Sequence, residues 1–237
     1  MPPRTGLVCV ALVFILSGAP LFSSNSSESL PADARADATM NIKIENFWKW
    51  FTQNHNLLDG TSEQRDGFIS DAVGELRALS PNLTLEIEEP RAGVREMAVS
   101  ADGVAAEFPV VEQVVHLAPN LPGWKIVAFR QPGKIKGIVL NYPGITLDTD
   151  KMWIFPIEDE TGFNLIVYFP DYSADKRNLF INATYVLLDN AIGEYNVVKG
   201  IRMLDFQKLP PPDQRDGVLP FVELPKVFAD YRAKHPR

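Results

Sequence analysis

The strongest restriction on the fold comes from two apolar segments that are joined by a tight turn. Leu83, Leu85 and Ile87 alternate with polar residues, and a period of two is that of a half-buried β-strand. Residues 90–93 include Pro and Gly and predict a turn, and residues 94–101 return as a second strand. Strands joined by so short a turn pair antiparallel. The sequence therefore favours a hairpin-built antiparallel sheet over a doubly wound parallel one.

The sequence before and after this hairpin has the apolar spacing of helices. Phe47, Trp50 and Phe51 recur at three- and four-residue spacing, which predicts a helix over about residues 43–58. A second apolar stripe predicts a helix over about residues 62–79, so the two form an N-terminal αα-hairpin. Further helices are predicted over residues 108–118, 175–192 and 224–231. The expected fold class is α+β, with helices on one face of a mainly antiparallel sheet.

An internal duplication is a further hypothesis. Additional strands are predicted over residues 124–130, 138–140, 144–149, 151–157, 163–169 and 200–207. Residues 83–131 and 152–207 then share the order strand, turn, strand, loop, helix, strand, with Gly93 and Gly162 in the two hairpin turns. These segments are candidate pseudo-repeats. The alternative is that a common ββαβ arrangement occurs twice by chance.

The first 39 residues differ in composition from the rest. Arg4 precedes an apolar run at 7–16, and small residues follow it, which is the order typical of a secretory signal peptide. The run is shorter than the roughly 20 residues of a spanning helix, so no permanent membrane span is expected. Residues 20–39 are predicted to be an unfolded spacer, and residues 40–237 a single α+β domain. The predicted location is periplasmic or secreted, and the alternative is a cytoplasmic protein whose translation starts at Met40.

Charge and missing motifs exclude several kinds of chemistry. The formal net charge of −7 offers no basic excess for nucleic acid. Cys9 is the one cysteine and lies in the apolar run, so the remainder of the chain has no thiol chemistry. Histidine motifs for zinc, glycine-rich loops for nucleotides and the GxSxG nucleophile elbow are missing from the sequence. No metal or cofactor is expected, and Ser100 to Gly103 is predicted to be a tight turn rather than a nucleophile site.

Six segments occur together in a recognisable order, at residues 46–51 (NFWKWF), 99–103 (VSADG), 108–112 (FPVVE), 118–121 (APNL), 124–130 (WKIVAFR) and 188–195 (LDNAIGEY). Their order and spacing resemble a bacterial family of uncharacterised proteins, a domain of unknown function, over about residues 44–207. The resemblance implies a single compact α+β unit and no established activity. Glu112, Arg130 and Glu194 match polar positions of the family's motifs, and each also has a structural explanation at a helix surface, a strand end or a helix terminus.

The sequence predicts a non-catalytic binding module of the bacterial envelope, which contacts a protein partner through a groove between the two ββαβ segments or through an exposed sheet face. Its oligomeric state is not predicted. The candidate binding residues are Trp48, Asp102, Glu112, Arg130 and Glu194. One alternative is an enzyme of unrecognised type that uses carboxylates such as Asp102, Glu112 or Glu194 as acid or base. Another is a cytoplasmic accessory or immunity-type protein, whose negative charge steers a basic partner.

Amino-terminal sequencing of the protein purified from its own host tests the export prediction. A cleaved leader gives a first residue after the small-residue positions that end at Ala19 or Ala38. A mature chain that begins at Met40 or at Asn41 contradicts export and supports the cytoplasmic alternative.

Overall fold

The computed structural model describes residues 32–159 and 162–236, and it has the predicted α+β class. Helix α1 (Ala32–Asn54) continues through a short 3-10 turn into α2 (Ser62–Arg77), as the predicted αα-hairpin requires. Helix α1 begins before Met40, so the prediction of an unfolded spacer is wrong for residues 32–39. The apolar run at 7–16 lies outside the described residues.

The first sheet is formed by β1 (Thr84–Ile87), β2 (Arg95–Ser100) and β3 (Trp124–Ala128) in that order. β1 and β2 pair antiparallel, as predicted from the tight turn. β3 pairs parallel to β2, because helix α3 (Phe108–His116) carries the chain back across the sheet before β3 begins. The sheet is therefore mixed, and its parallel pair was not predicted.

A second sheet follows the hairpin of β4 (Val139–Tyr142) and β5 (Ile145–Asp148). Its order is β8-β7-β6-β9, with β6 and β7 antiparallel and β7 and β8 parallel. The remaining bounds are β6 (Trp153–Asp159), β7 (Gly162–Phe169), α4 (Arg177–Ile192), α5 (Glu194–Gly200), β8 (Ile201–Lys208), β9 (Leu219–Pro220) and α6 (Leu224–Lys234). Helix α5 and strand β9 were not predicted.

The three-stranded and four-stranded sheets belong to two units, which we call the first unit (α1 to β3) and the second unit (β4 to α6, including the two-stranded β4-β5 sheet), each with its own hydrophobic core. In both units an antiparallel pair is followed by a helical crossover and a third strand parallel to the second. A duplication would produce this correspondence, and the duplication itself stays a hypothesis. Within the described part of the chain, none of the helices combines the length and hydrophobicity that a bilayer span requires.

Candidate functional site

A cleft of about 1180 Å³ separates the two units. Its floor is the face of the first sheet that points away from the core, because side chains alternate along each strand and Leu85, Met97 and Val99 occupy the buried face. One wall is helix α4. The floor residues include Glu86, Glu96, Ala98 and Lys125, and the α4 wall presents Asn182, Tyr185, Val186, Asp189 and Asn190. The predicted groove between the two ββαβ segments therefore exists as a cavity.

One buried carboxylate joins the units beside this cleft. Glu194 is the first residue of α5 and is 0% exposed. Its Oε1 accepts the backbone N–H groups of Ala101 at 3.2 Å and of Gly103 at 3.1 Å, and its Oε2 accepts that of Arg130 at 3.2 Å. A buried carboxylate with such donors is well stabilised, and the donors would otherwise be left without an acceptor. Glu194 therefore links the second unit to two loops of the first.

Positive-φ residues aim these N–H groups. The turn predicted at Ser100 to Gly103 is confirmed, with Asp102 at φ 50° and Gly103 at φ 79°. The Ser100 hydroxyl accepts the Asp102 N–H at 2.9 Å, and the Val104 N–H donates to the Ala101 carbonyl at 3.0 Å. Because the chain turns so tightly, the Ala101 and Gly103 N–H groups point to the same carboxylate oxygen.

Phe129 has a strained backbone at the other loop. Its φ is 66°, a region that bulky residues rarely adopt. Its ring is buried between the units, and its centroid lies 4.4 Å from the centroid of the Phe108 ring and 5.5 Å from that of the Tyr195 ring. Aromatic packing thus offsets the backbone strain, and the same turn presents the Arg130 N–H to Glu194.

The Arg130 side chain meets three carboxylates in the cleft. Its Nε donates to Glu86, its Nη2 to Asp102 Oδ1 at 3.1 Å, and its Nη1 to Asp189 Oδ2 at 3.3 Å. Although burial opposes its charge, the neighbouring carboxylates, Glu86 above all, raise the pKa of Arg130 above its usual value. One guanidinium therefore connects β1, the loop after β2 and helix α4.

Asp189 is the carboxylate of this group with the most unusual environment. Its side chain is 12% exposed, whereas those of Glu86 and Asp102 are 57% and 68% exposed. Burial, reinforced by the negative charge of Glu194, raises the pKa of Asp189 to about 7 despite the opposing charge of Arg130. Asp189 can therefore gain or lose a proton near neutral pH.

The structure brings three of the five predicted binding residues together and leaves two elsewhere. Asp102, Arg130 and Glu194 meet at the cleft. Trp48 is buried in the core of the first unit, where its Nε1 donates to the Val114 carbonyl at 2.8 Å and joins α1 to α3. Glu112 is exposed on α3, outside the cleft. Trp48 is thus in a structural position, and Glu112 is at a helix surface.

Glu86 and Asp189 are not among the residues that the sequence predicts for the site. The sequence predicts Glu86 to be one of several solvated charges on a strand, and its partner Arg130 is distant in sequence. Asp189 has one usable signal, because it directly follows the buried Leu188 on a helix whose other buried residues, except Thr184, are apolar. A carboxylate at such a position requires a partner, and periodicity alone does not identify that partner.

The described ranges contain no group of three or more His, Cys, Asp or Glu side chains arranged to hold a metal ion. Comparison with family models, with curated proteins and with solved structures finds no match to this chain. The resemblance to a bacterial family of uncharacterised proteins therefore stays a prediction.

Replacing Glu194 by Gln tests its role in joining the units. In Glu194→Gln an amide NH₂ group faces a backbone N–H that has lost its acceptor, and we expect a loss of about 2–4 kcal/mol in the free energy of unfolding. Urea denaturation followed by circular dichroism measures it. Glu112→Gln, at an exposed position, is the matched control and should stay within about 0.5 kcal/mol of the wild type. Equal stability of the two variants would contradict the proposed link.

Replacing Asp189 by Asn tests its protonation. The pKa of Asp189 is about 7 in the folded protein, whereas an aspartate in the unfolded chain has its ordinary pKa of 3.8. Its contribution to stability is therefore fully present below pH 3.8 and is lost as the pH rises through 7. Asn does not ionise, so the stability of Asp189→Asn relative to the wild type should rise by roughly 1–3 kcal/mol between pH 4 and pH 8.

Urea midpoints of both proteins across this range provide the measurement. The amide oxygen of Asp189→Asn can still accept the Arg130 N–H and does not ionise, so the change of the stability difference with pH is what tests the protonation of Asp189. A difference between the two proteins that is independent of pH would contradict the raised pKa of Asp189.

Proposed function

We propose that this chain is a non-catalytic binding module of the bacterial envelope, and that it holds a basic segment of a protein partner in the cleft between its two units. The observation that carries the proposal is the charge balance around Arg130. Its guanidinium is shared by Glu86, Asp102 and Asp189, and two of these carboxylates are more than half exposed. Negative charge in excess of the one guanidinium therefore faces the open cleft.

The other cations of the cleft support this interpretation. Arg91 pairs with Glu88 at 3.1 Å, and Lys125 pairs with Glu96 at 2.7 Å, so these two cations are already matched by a carboxylate. Lys134 is the remaining cation of the lining. The carboxylates around Arg130, which are Glu86, Asp102, Asp189 and the adjoining Glu194, still outnumber Arg130 and Lys134 together. A basic side chain of a partner would be attracted to that point, and the net charge of −7 would increase the rate of encounter.

The α4 wall supplies apolar contact area next to the charged floor. Tyr185 and Val186 are 44% and 43% exposed, although both line the cleft. Exposed tyrosine is typical of protein-binding surfaces because its ring buries apolar area and its hydroxyl keeps a polar contact. A partner segment that alternates basic and apolar residues would match the floor and the wall together.

Location is a separate part of the proposal. Export is supported by the leader-like composition of residues 1–39. The same cleft would serve a cytoplasmic accessory or immunity-type protein that starts at Met40. Amino-terminal sequencing therefore tests the location, and binding measurements test the cleft.

An acid–base enzyme is the second candidate function. The observation that favours it is Asp189, because a carboxyl group with a pKa of about 7 suits general acid or base catalysis at neutral pH. Binding is favoured over catalysis because the carboxylates are engaged in structural bonds. Glu194 accepts three backbone N–H groups, and Asp102 and Asp189 both accept bonds from Arg130.

Peptide binding tests the proposed function. The probes are rhodamine-labelled hexa-arginine and hexa-glutamate amides, measured by fluorescence anisotropy at pH 8. We expect saturable binding of hexa-arginine and none of hexa-glutamate. The double variant Glu86→Gln/Asp102→Asn should weaken binding about tenfold, because it removes both exposed carboxylates from the cleft.

The control is the double variant Glu112→Gln/Asp230→Asn. It changes the net charge by the same amount, but it removes exposed carboxylates on α3 and α6, outside the cleft. We expect its affinity for hexa-arginine to stay within about twofold of the wild type. Equal weakening by the two double variants would show that attraction is spread over the whole surface and would overturn the proposal.

A further inference from the structure

Four carboxylates and one guanidinium meet at the end of the cleft, on elements from both units. Glu86 lies on β1, Asp102 in the loop after β2, Arg130 after β3, Asp189 on α4 and Glu194 on α5. Four negative charges around one positive charge repel one another, particularly where water is excluded. Such a group lowers its energy by keeping a proton on one carboxyl group.

The geometry indicates which carboxyl group keeps the proton. Glu194 accepts three N–H bonds, which stabilise its ionised form. Glu86 and Asp102 are more than half exposed, so water stabilises their charge. Asp189 is shielded from water, and its bond from Arg130 is long, at 3.3 Å. Ionisation of Asp189 is therefore the least stabilised of the four.

A cation that a partner brings to this group of carboxylates would change the balance. A basic side chain close to Glu86 and Asp102 would draw these carboxylates toward itself and add positive charge beside Asp189. The Arg130 guanidinium would then be shared by fewer competing acceptors, and its bond to Asp189 would shorten and favour the carboxylate form.

We infer that a basic segment entering the cleft displaces one proton from the Asp189 carboxyl group, so that binding tightens as the pH rises toward 8. The inference rests on the proposed function. The O–H bond of the carboxyl group breaks, the electron pair stays on the carboxylate, and the proton passes to the buffer. The reaction therefore balances as protein carboxylic acid plus cationic segment giving carboxylate complex plus one proton.

Isothermal titration calorimetry with unlabelled N-acetyl hexa-arginine amide, which has no free α-amino group, tests the inference. Arginine does not titrate in this range, and the three histidines, all within the described ranges, lie outside the cleft. For the wild type we expect the affinity to rise about tenfold between pH 6 and pH 8, as release of one proton from a group with a pKa near 7 requires. Asp189→Asn should bind with an affinity that changes less than about twofold over this range.

Glu86→Gln is the matched control within the cleft. It removes a carboxylate that is more than half exposed and leaves Asp189 in place, so it should weaken binding at each pH and keep most of the rise with pH. A rise that persists unchanged in Asp189→Asn would overturn the inference.

A second measurement uses the wild type alone and does not depend on the folding of a variant. Titrations at pH 7 in phosphate and in Tris, which differ in ionisation enthalpy, report the number of protons released on binding. We expect about half a proton at pH 7, because Asp189 is then about half ionised before binding. Equal heats in the two buffers would overturn the inference.

The outcomes separate the two proposals. Binding that is confined to the cleft but shows neither proton release nor a rise with pH leaves the proposed function standing and overturns this inference. Hexa-arginine that binds at no pH, or that binds equally to Glu86→Gln/Asp102→Asn, overturns both.

Discussion

The hydrogen bonds that the Glu194 carboxylate accepts hold the two units together. A carboxylate that is completely buried is costly unless its charge is hydrogen-bonded, and here both oxygens accept backbone N–H groups. The donors belong to the turn after β2 and to the residue after β3, whereas the acceptor is the first residue of α5. Because donors and acceptor come from different units, the bonds form only when both units are folded and docked.

The local backbone around Glu194 is adapted to this contact. Gly193 separates α4 from α5 with a φ of 83°, and a side chain at this position would lie 3.3 Å from the Arg130 carbonyl oxygen. That carbonyl accepts the Glu194 N–H at 3.0 Å, so the two loops approach closely in both directions. Positive-φ backbone at Asp102 and Phe129 completes the arrangement from the first unit. Several unfavourable conformations are therefore concentrated at one junction, as is common at functional sites.

The cleft is a consequence of this docking. Since the junction joins the units at one end, the open face of the first sheet and the α4 wall face each other across a cavity instead of packing together. Arg130 connects the charges of the junction with those of the cleft. Its backbone N–H donates to Glu194, and its guanidinium donates to Glu86, Asp102 and Asp189. Binding in the cleft, protonation of Asp189 and docking of the units are therefore physically connected.

Sequence alone determined the local part of this protein. Alternation of apolar residues at Leu83 to Ile87 identified β1, helical spacing of Phe47 and Phe51 identified α1, and the turn at Asp102 followed from its Gly neighbour, because these signals depend on residues close in the chain. The parallel pairing of β3 with β2, the helix that restarts after Gly193, and the meeting of Arg130 with Asp189 depend on contacts between distant residues. Only the tertiary structure decided these three features, because residues that are distant in sequence come into contact only after the chain has folded.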